Sequence, residues 1–310
     1  DLTPRPPSLG GQGEEEESAA SLVTIGIAHY NLGRHLPATL ASLAEQTYAN
    51  IEVIVIDDGS NDPESIAVFA EMQGRYSQWR FLRQNNAGIG ATRNRCLELA
   101  RGEFFIPVDA DNLARPTMVE QFVRAIQRNP DLAAMTCYFL AFAEGDGDPP
   151  PRFLHALRPA GGPHVLAGIR NVYGDANAIF RTQVFRDVGG YETDRGTSCE
   201  DWEAFVKLVH AGRRIGVIPD HLFYYRHLTN GFSRRTNWFA NHQRVLRQFA
   251  NTPGESAALW TVLLGFHQRL EHLQHAPRPR RHRIADAVHA AVACVPRVIG
   301  NVFRQLRRAS

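Results

Sequence analysis

The chain has 310 residues, 44% of them hydrophobic and 21% charged, and a formal net charge of +2. These are globular values that supply a sizeable core, over a length suited to one large or two ordinary domains. So small a net charge excludes nucleic-acid binding driven by bulk charge, and the single lysine, Lys207, removes a lysine nucleophile or a P-loop.

Cys96, Cys137, Cys199 and Cys294 are widely spaced, without a CxxC pair, and fit free thiols in a reducing compartment. No apolar run reaches the ~18 residues of a spanning helix. The chain opens at Asp1, with no signal peptide, and reads as a segment of a longer protein.

Residues 1–20 are Pro-rich, then Gly-rich, then acidic from Glu14 to Glu17, the composition of a linker or disordered lead. Leu22–Ala28 reads as a first strand. Leu36–Gln46 follows with Leu36, Leu40 and Leu43 at helical spacing. Ile51–Ile56 is a second strand, Ser65–Gly74 a second helix, Trp79–Leu82 a third strand and Ala87–Ala100 a third helix. Phe104–Val108 is a fourth strand, and Ala114–Arg128 after it reads as helical. This alternation predicts an α/β fold with a mostly parallel central sheet flanked by helices.

Asp131–Phe142 reads as a returning strand, and Gly145–Gly162, rich in Gly and Pro, as a loop or flap. Ala176–Phe180, Thr182–Val188 and Glu200–Ala211 add further elements, then Arg213–Ile218 a strand and Leu222–Arg226 an edge strand. From Asn237 the pattern is helical, broken by Pro253, Pro277 and Pro279. The expected division is a lead at 1–20, an α/β domain at 21–235 and a C-terminal helical extension at 236–310. Inside the extension, Ile284 to Leu306 carries an apolar stripe ringed by arginines. It is read first as a helix packed on its own domain, and second as a basic amphipathic helix in peripheral membrane contact.

The chemistry concentrates where strands end. Asp109 and Asp111, one residue apart after the fourth strand, point to one side and can converge on a hard cation such as Mg²⁺ or Mn²⁺. The plainer alternative is a polar loop capping a helix. Asp57-Asp58-Gly59-Ser60 ends the second strand, where an Asp can accept from a ribose hydroxyl or a base imide; an ordinary Asp-Gly turn is the alternative. Tyr30 can stack on a base. Gly88 and Gly90 let backbone approach a ligand at a helix start. Ser198-Cys199-Glu200-Asp201 has the look of a capping box, leaving Asp201 either a base or a helix cap.

Taken together, Tyr30-Asn31, Asp57-Asp58-Gly59-Ser60, Asn86-x-Gly88, Ala91-x-Arg93-Asn94 and Asp109-Ala110-Asp111 resemble family 2 glycosyltransferases with the GT-A fold. The resemblance runs on through Gly174–Arg181, Val188–Glu192 and Glu200-Asp201-Trp202, and covers Leu22 to Ser233. It implies a Rossmann-like nucleotide half joined to an acceptor half, and metal-dependent, inverting transfer from a UDP-, GDP- or dTDP-sugar to a hydroxyl acceptor.

By the same resemblance, Mn²⁺ or Mg²⁺ sits at Asp111 with Asp109 nearby, Asp109 contacts the donor ribose or the metal, and His227 is a candidate third ligand, a lone surface histidine being the alternative. Asp57 or Asp58 holds the base, Arg93 props that pocket, and Tyr30, Asn86, Gly88 and Ala110 complete the donor set. Asp201 is the catalytic base, with Glu200 as fallback. Asn112 stands where relatives often carry an acid. The acceptor is a glycan or a lipid-linked sugar in surface polysaccharide or other glycan synthesis, no nucleic acid is involved, and the expected location is cytoplasmic or peripheral at the inner membrane face. A catalytically inactive GT-A module that binds nucleotide sugar or glycan, or acts as a scaffold in a larger protein, is the alternative.

Overall fold

The computed structural model describes residues 20–150, 152–161, 164–229 and 231–250. The first half alternates strand and helix: β1 (Val23–His29), α1 (Leu36–Ala44), β2 (Ile51–Asp57), α2 (Pro63–Arg75), β3 (Arg80–Arg83), α3 (Ile89–Leu99) and β4 (Phe104–Asp109). Then come β5 (Leu113–Ala114), α4 (Met118–Gln127), β6 (Leu132–Ala143), β7 (His155–Leu157), a 3-10 turn (His164–Gly168), β8 (Ile179–Arg181), α5 (Thr182–Asp187), α6 (Glu200–His210), β9 (Arg214–His227), α7 (Phe232–Arg235) and α8 (Trp238–Ala250).

One sheet runs β3-β2-β1-β4-β8-β6-β9-β5, with β7 on the flank of β6. Strands β1 to β4 are parallel among themselves; β8, β7 and β5 pair antiparallel with their neighbours. The strand order reverses beside β1, between β2 and β4. Such a switch point opens a crevice at the carboxyl ends of the strands. Register puts His29 opposite Asp57 and Ala28 opposite Asp109, so both carboxylates leave the sheet at that edge.

Strand alternation sends Val23, Ile25, Val53, Val55 and Phe104 to one face, where Leu36, Leu40 and Leu43 of α1 and Met118, Phe122 and Ile126 of α4 cover them. Ile54, Ile56 and Phe105 face the other way, toward Cys96 and Leu97 of α3, Phe205 and Leu208 of α6, and Val245 and Phe249 of α8. Helix α8, at the start of the expected extension, thus belongs to the core. Arg244 pairs with Glu203 between α8 and α6, both buried, and donates to the backbone oxygen of Glu192 at 2.8 Å. The lead at 1–19 and the amphipathic stretch at 284–306 lie outside the described residues. Among those described, no helix is long and apolar enough to cross a membrane.

Three expectations need correction. Arg213–Ile218 and Leu222–Arg226 form one strand, β9, and its second half lies between β6 and β5 rather than at an edge. The register jumps from Cys137↔Ile218 to Tyr138↔His221, so Pro219 and Asp220 sit in a bulge, where a residue without an N–H is tolerated. The loop from Gly145 contains β7, which adds to β6. The segment from Ala114 starts as strand β5 and turns helical only at Met118.

Gly90 fixes how α3 meets the chain ahead of α6. A Cβ there would lie 2.2 Å from the backbone oxygen of Glu192. Alanine is the better helix former by ~1 kcal/mol, yet this clash is with backbone that cannot rotate away. Gly90→Ala is expected to destabilise the fold by about 1–3 kcal/mol, read as a lower thermal midpoint. A raised midpoint would show that the contact is loose.

Candidate active site

At the β2 end, Asp57 and Asp58 are both buried, with different duties. Asp58 accepts from the N–H groups of Ala87 and Gly88 at 2.8 Å and from Gln84 Nε2 at 2.7 Å. It therefore shapes the loop that leads into α3. Asn86 donates to the Asp58 backbone oxygen at 2.9 Å, and Gly88 caps α3 at φ 93°. Asp57 accepts from Ser60 N–H and Oγ through Oδ1; its Oδ2 lies 3.1 Å from Arg83 Nε without a hydrogen bond. That oxygen is a buried acceptor whose one charged neighbour among the described residues is Arg83. Tyr30, 42% exposed, stands at the same edge.

Beside Asp57, His29 is fully buried, stacks on Phe69 at 5.8 Å, and has no partner for either ring nitrogen. Burial lowers its pKa to about 4, against a smaller upward pull from Asp57. Between pH 6.5 and 4 the unfolded chain therefore takes up a proton that folded His29 refuses, and stability falls with pH across that window. His29→Phe is expected to flatten this part of the stability–pH curve by up to about 3 kcal/mol, checked by urea unfolding at pH 7 and pH 4.5. An unchanged difference between the two pH values would refute it.

The centre of the site is acidic and held by one arginine. Arg93, on α3 and 2% exposed, donates to Glu200 Oε1 at 2.6 Å through one nitrogen and to Asp109 Oδ1 through another. Its ring neighbour is Tyr191, 5.4 Å away. Burial alone would favour the neutral form; Asp109 and Glu200 outweigh it and hold the guanidinium firmly charged. Sequence reasoning placed Arg93 under the base pocket. Its fork instead ties the end of β4 to the start of α6.

Ala110, buried, separates Asp109 from Asp111. Burial first, and Asp109 second, push the Asp111 carboxyl up to about 7, although part of its surface still meets solvent. Asn112 is fully buried and accepts from the Arg226 N–H at 3.1 Å, fastening β4 to β9. Arg226 is equally structural: it donates to the Asp111 backbone oxygen at 2.9 Å, pairs with Asp148, and lies over Phe142 at 4.6 Å.

Helix α6 begins after Cys199, which takes the left-handed conformation (φ 72°) and gives no side-chain cap. The capping box does not form: Ser198 turns to Asn241 and Thr236 instead. Asp201 accepts from the Trp202 N–H at 2.7 Å, and its helix-terminal position should favour the ionised form. Burial and the adjacent Glu200 prevail and push it up to about 7. Glu200 is committed to Arg93, which leaves Asp201 the less engaged of the two carboxylates.

Asp175, quoted in the sequence motif without a role, shares the centre; burial, then Asp109 and Asp201, hold its carboxyl well above the usual range. Its signal was the Gly-Asp-Ala-Asn run just ahead of β8. Asp175 and Asp201 open into a cleft of about 530 Å³ that also meets Tyr225 and His227. His227 packs edge-on to His155 and Tyr225 there. Among the described residues no group of three His, Cys, Asp or Glu side chains is placed to hold a metal ion.

The family model described as "Glycosyl transferase family 2" matches residues 24–189, more than half of the chain. The chain belongs to this family.

Among its relatives, "Putative glycosyltransferase EpsH" of Bacillus subtilis is 36% identical over 127 residues, 40% of this chain and 36% of that protein. "Putative glycosyltransferase EpsE" of the same organism is 25% identical over 228 residues, 72% and 80% of the two chains. The chain spans about a third to two fifths of the length of the curated relatives it matches first. Of solved structures, S. aureus TarS 1–349 in complex with UDP-GlcNAc superposes with TM-score 0.61 at 18% identity, over 82% of this chain and 73% of that one. Mannosyltransferase PcManGT from Pyrobaculum calidifontis, in complex with GDP-Man and Mn²⁺, gives 0.57 at 17%, over 89% and 81%. These likenesses show the fold: a glycosyltransferase family 2 domain of GT-A type.

Proposed function

We propose that this family 2 domain transfers a glycosyl group, with inversion, from a nucleoside-diphosphate sugar to a hydroxyl acceptor, with Asp201 as the general base. The observation that carries this reading is the pairing of Asp201, open to the cleft, with the Asp109–Asp111 edge through the Arg93–Glu200 link. The acceptor hydroxyl gives its proton to the Asp201 carboxylate as its oxygen bonds to the anomeric carbon. The anomeric carbon–oxygen bond to the diphosphate breaks, and the nucleoside diphosphate leaves with the electron pair.

The donor set for a metal is two carboxylates, Asp109 and Asp111. That fits Mg²⁺ or Mn²⁺ completed by donor phosphates, not a cage made by protein alone. A bound divalent ion would neutralise charge growing on the leaving diphosphate. Asp57 and Tyr30, at one edge, suit a nucleobase, and the Ala87–Gly88 turn, whose N–H groups Asp58 holds, shapes the loop beside them. UDP-GlcNAc and GDP-Man in the superposing structures support a nucleotide-sugar donor, and Mn²⁺ in one of them supports the metal. A glycan or lipid-linked acceptor, in surface polysaccharide synthesis at the cytoplasmic side of the membrane, is consistent with this chemistry.

The test is nucleoside diphosphate release from a panel of UDP-, GDP- and dTDP-sugars, with Mn²⁺ or EDTA. Turnover of one donor is expected, abolished by EDTA and reduced by about 10²-fold or more in Asp111→Ala, a loss on the scale of a removed electrostatic stabiliser. Donor binding without turnover, unchanged by EDTA, would instead indicate an inactive binding module.

A further inference from the structure

We propose that the cleft beside Asp201 is built for an acceptor that carries an oxyanion, a carboxylate or phosphate, near the hydroxyl to be glycosylated. Arg158 and Arg170 are its recognition groups. This rests on the glycosyl-transfer reading above and names the acceptor's chemical class.

Arg158, Arg170, His155 and His227 line the same cleft as Asp201 and Asp175. The arginines come from different segments, Arg158 just after β7 and Arg170 just after the 3-10 turn. Neither forms an ion pair among the described residues. By contrast, Arg93 and Arg226, under the donor edge, are buried and fully engaged. A planar guanidinium with free N–H groups matches the two oxygens of a carboxylate or phosphate.

The two segments are fixed relative to each other. Asn171 accepts from the N–H groups of Tyr173 and Gly174 at 3.0 and 3.1 Å and donates to the Gly174 oxygen at 2.6 Å, closing the turn that follows Arg170. Gly174, at φ 114°, packs so tightly on Pro159 that a Cβ would lie 2.7 Å from the ring. The Gly161 N–H then donates to the Val172 oxygen at 2.9 Å. Arg158 and Arg170 therefore sit on two walls of one preformed cleft, and an acceptor held between them incurs little ordering cost in the protein.

The experiment compares three oligosaccharide acceptors that differ only in the terminal residue: neutral hexose, uronic acid, or hexose phosphate. Turnover is followed with the active donor, and binding of each oligosaccharide is followed separately by calorimetry. Wild type is expected to prefer one anionic acceptor over the neutral one by about 10-fold or more in kcat/KM, and which one names the oxyanion. In the double variant Arg158→Ala with Arg170→Ala that ratio should fall to about 1, and lysine at both positions should restore part of it.

No wild-type preference for either anion would overturn the proposal. So would a preference that survives the double variant, or substitutions that raise the donor KM and leave the acceptor ratio intact, which would assign the arginines to the donor diphosphate. If no nucleotide sugar is turned over at all, the transfer reading fails and with it the acceptor role, and calorimetry still decides the site: arginine-dependent binding of an anionic oligosaccharide upholds oxyanion recognition by Arg158 and Arg170, and equal binding of all three refutes it.

Discussion

Replacing Asp201 by Asn should cost about 10²–10⁴-fold in kcat while leaving donor binding in place, because it removes proton acceptance and keeps the shape of the side chain. The pH dependence is a sharper test. The base works only when ionised, and burial with Glu200 beside it holds Asp201 up to about 7. Activity of the wild type should therefore rise with pH through an acid limb centred near 7, against about 4 for an ordinary aspartate. A bound cation or a deprotonated Asp111 would move that limb, so the profile is best measured at saturating metal. Full turnover by Asp201→Asn, or a rate flat from pH 5 to 8, would remove Asp201 from the role.

Arg93→Leu is expected to be the most damaging single change to the fold of the site. It leaves Glu200 and Asp109 without their shared cation; removing one partner of a buried pair costs about 3–5 kcal/mol. For a domain of this size the thermal midpoint should drop by on the order of 10 °C. Arg93→Lys keeps the charge but reaches only one of the two carboxylates well, so it should recover part of the stability and less of the activity. Equal midpoints for wild type and Arg93→Leu would show that the link is not supporting the structure.

Much of the first half of the domain was legible in the sequence because local signals agreed there. Ile51–Ile56 and Phe104–Val108 are short apolar runs that end in carboxylates, and the helices between them carry apolar residues at helical spacing. The second half was harder. Arg213–Ile218 and Leu222–Arg226 read as two strands, since a bulge inside one strand is a tertiary feature with no local signature. Arg93 lies 107 residues from Glu200, and no periodicity announces an ion pair over such a separation. The capping box at Ser198 failed for a similar reason: Asn241, from α8, captured the serine first. Asp175 was visible in its motif but acquired meaning only when folding set it beside Asp109 and Asp201.

The register of β1 with β2 and β4 bears on how such a domain can change over generations. Adding or deleting one residue within β4 would swing Asp109 to the opposite sheet face, and a similar edit in β2 would displace Asp57. The strands that carry Asp57 and Asp109 are thus closed to insertions. Residues 145–147, between the end of β6 and Asp148, the partner of Arg226, carry none of these carboxylates, and surface connections of this kind absorb changes of length readily. Descendants of one ancestral chain can therefore vary in length there while inheriting the edge that carries Asp57 and Asp109 intact.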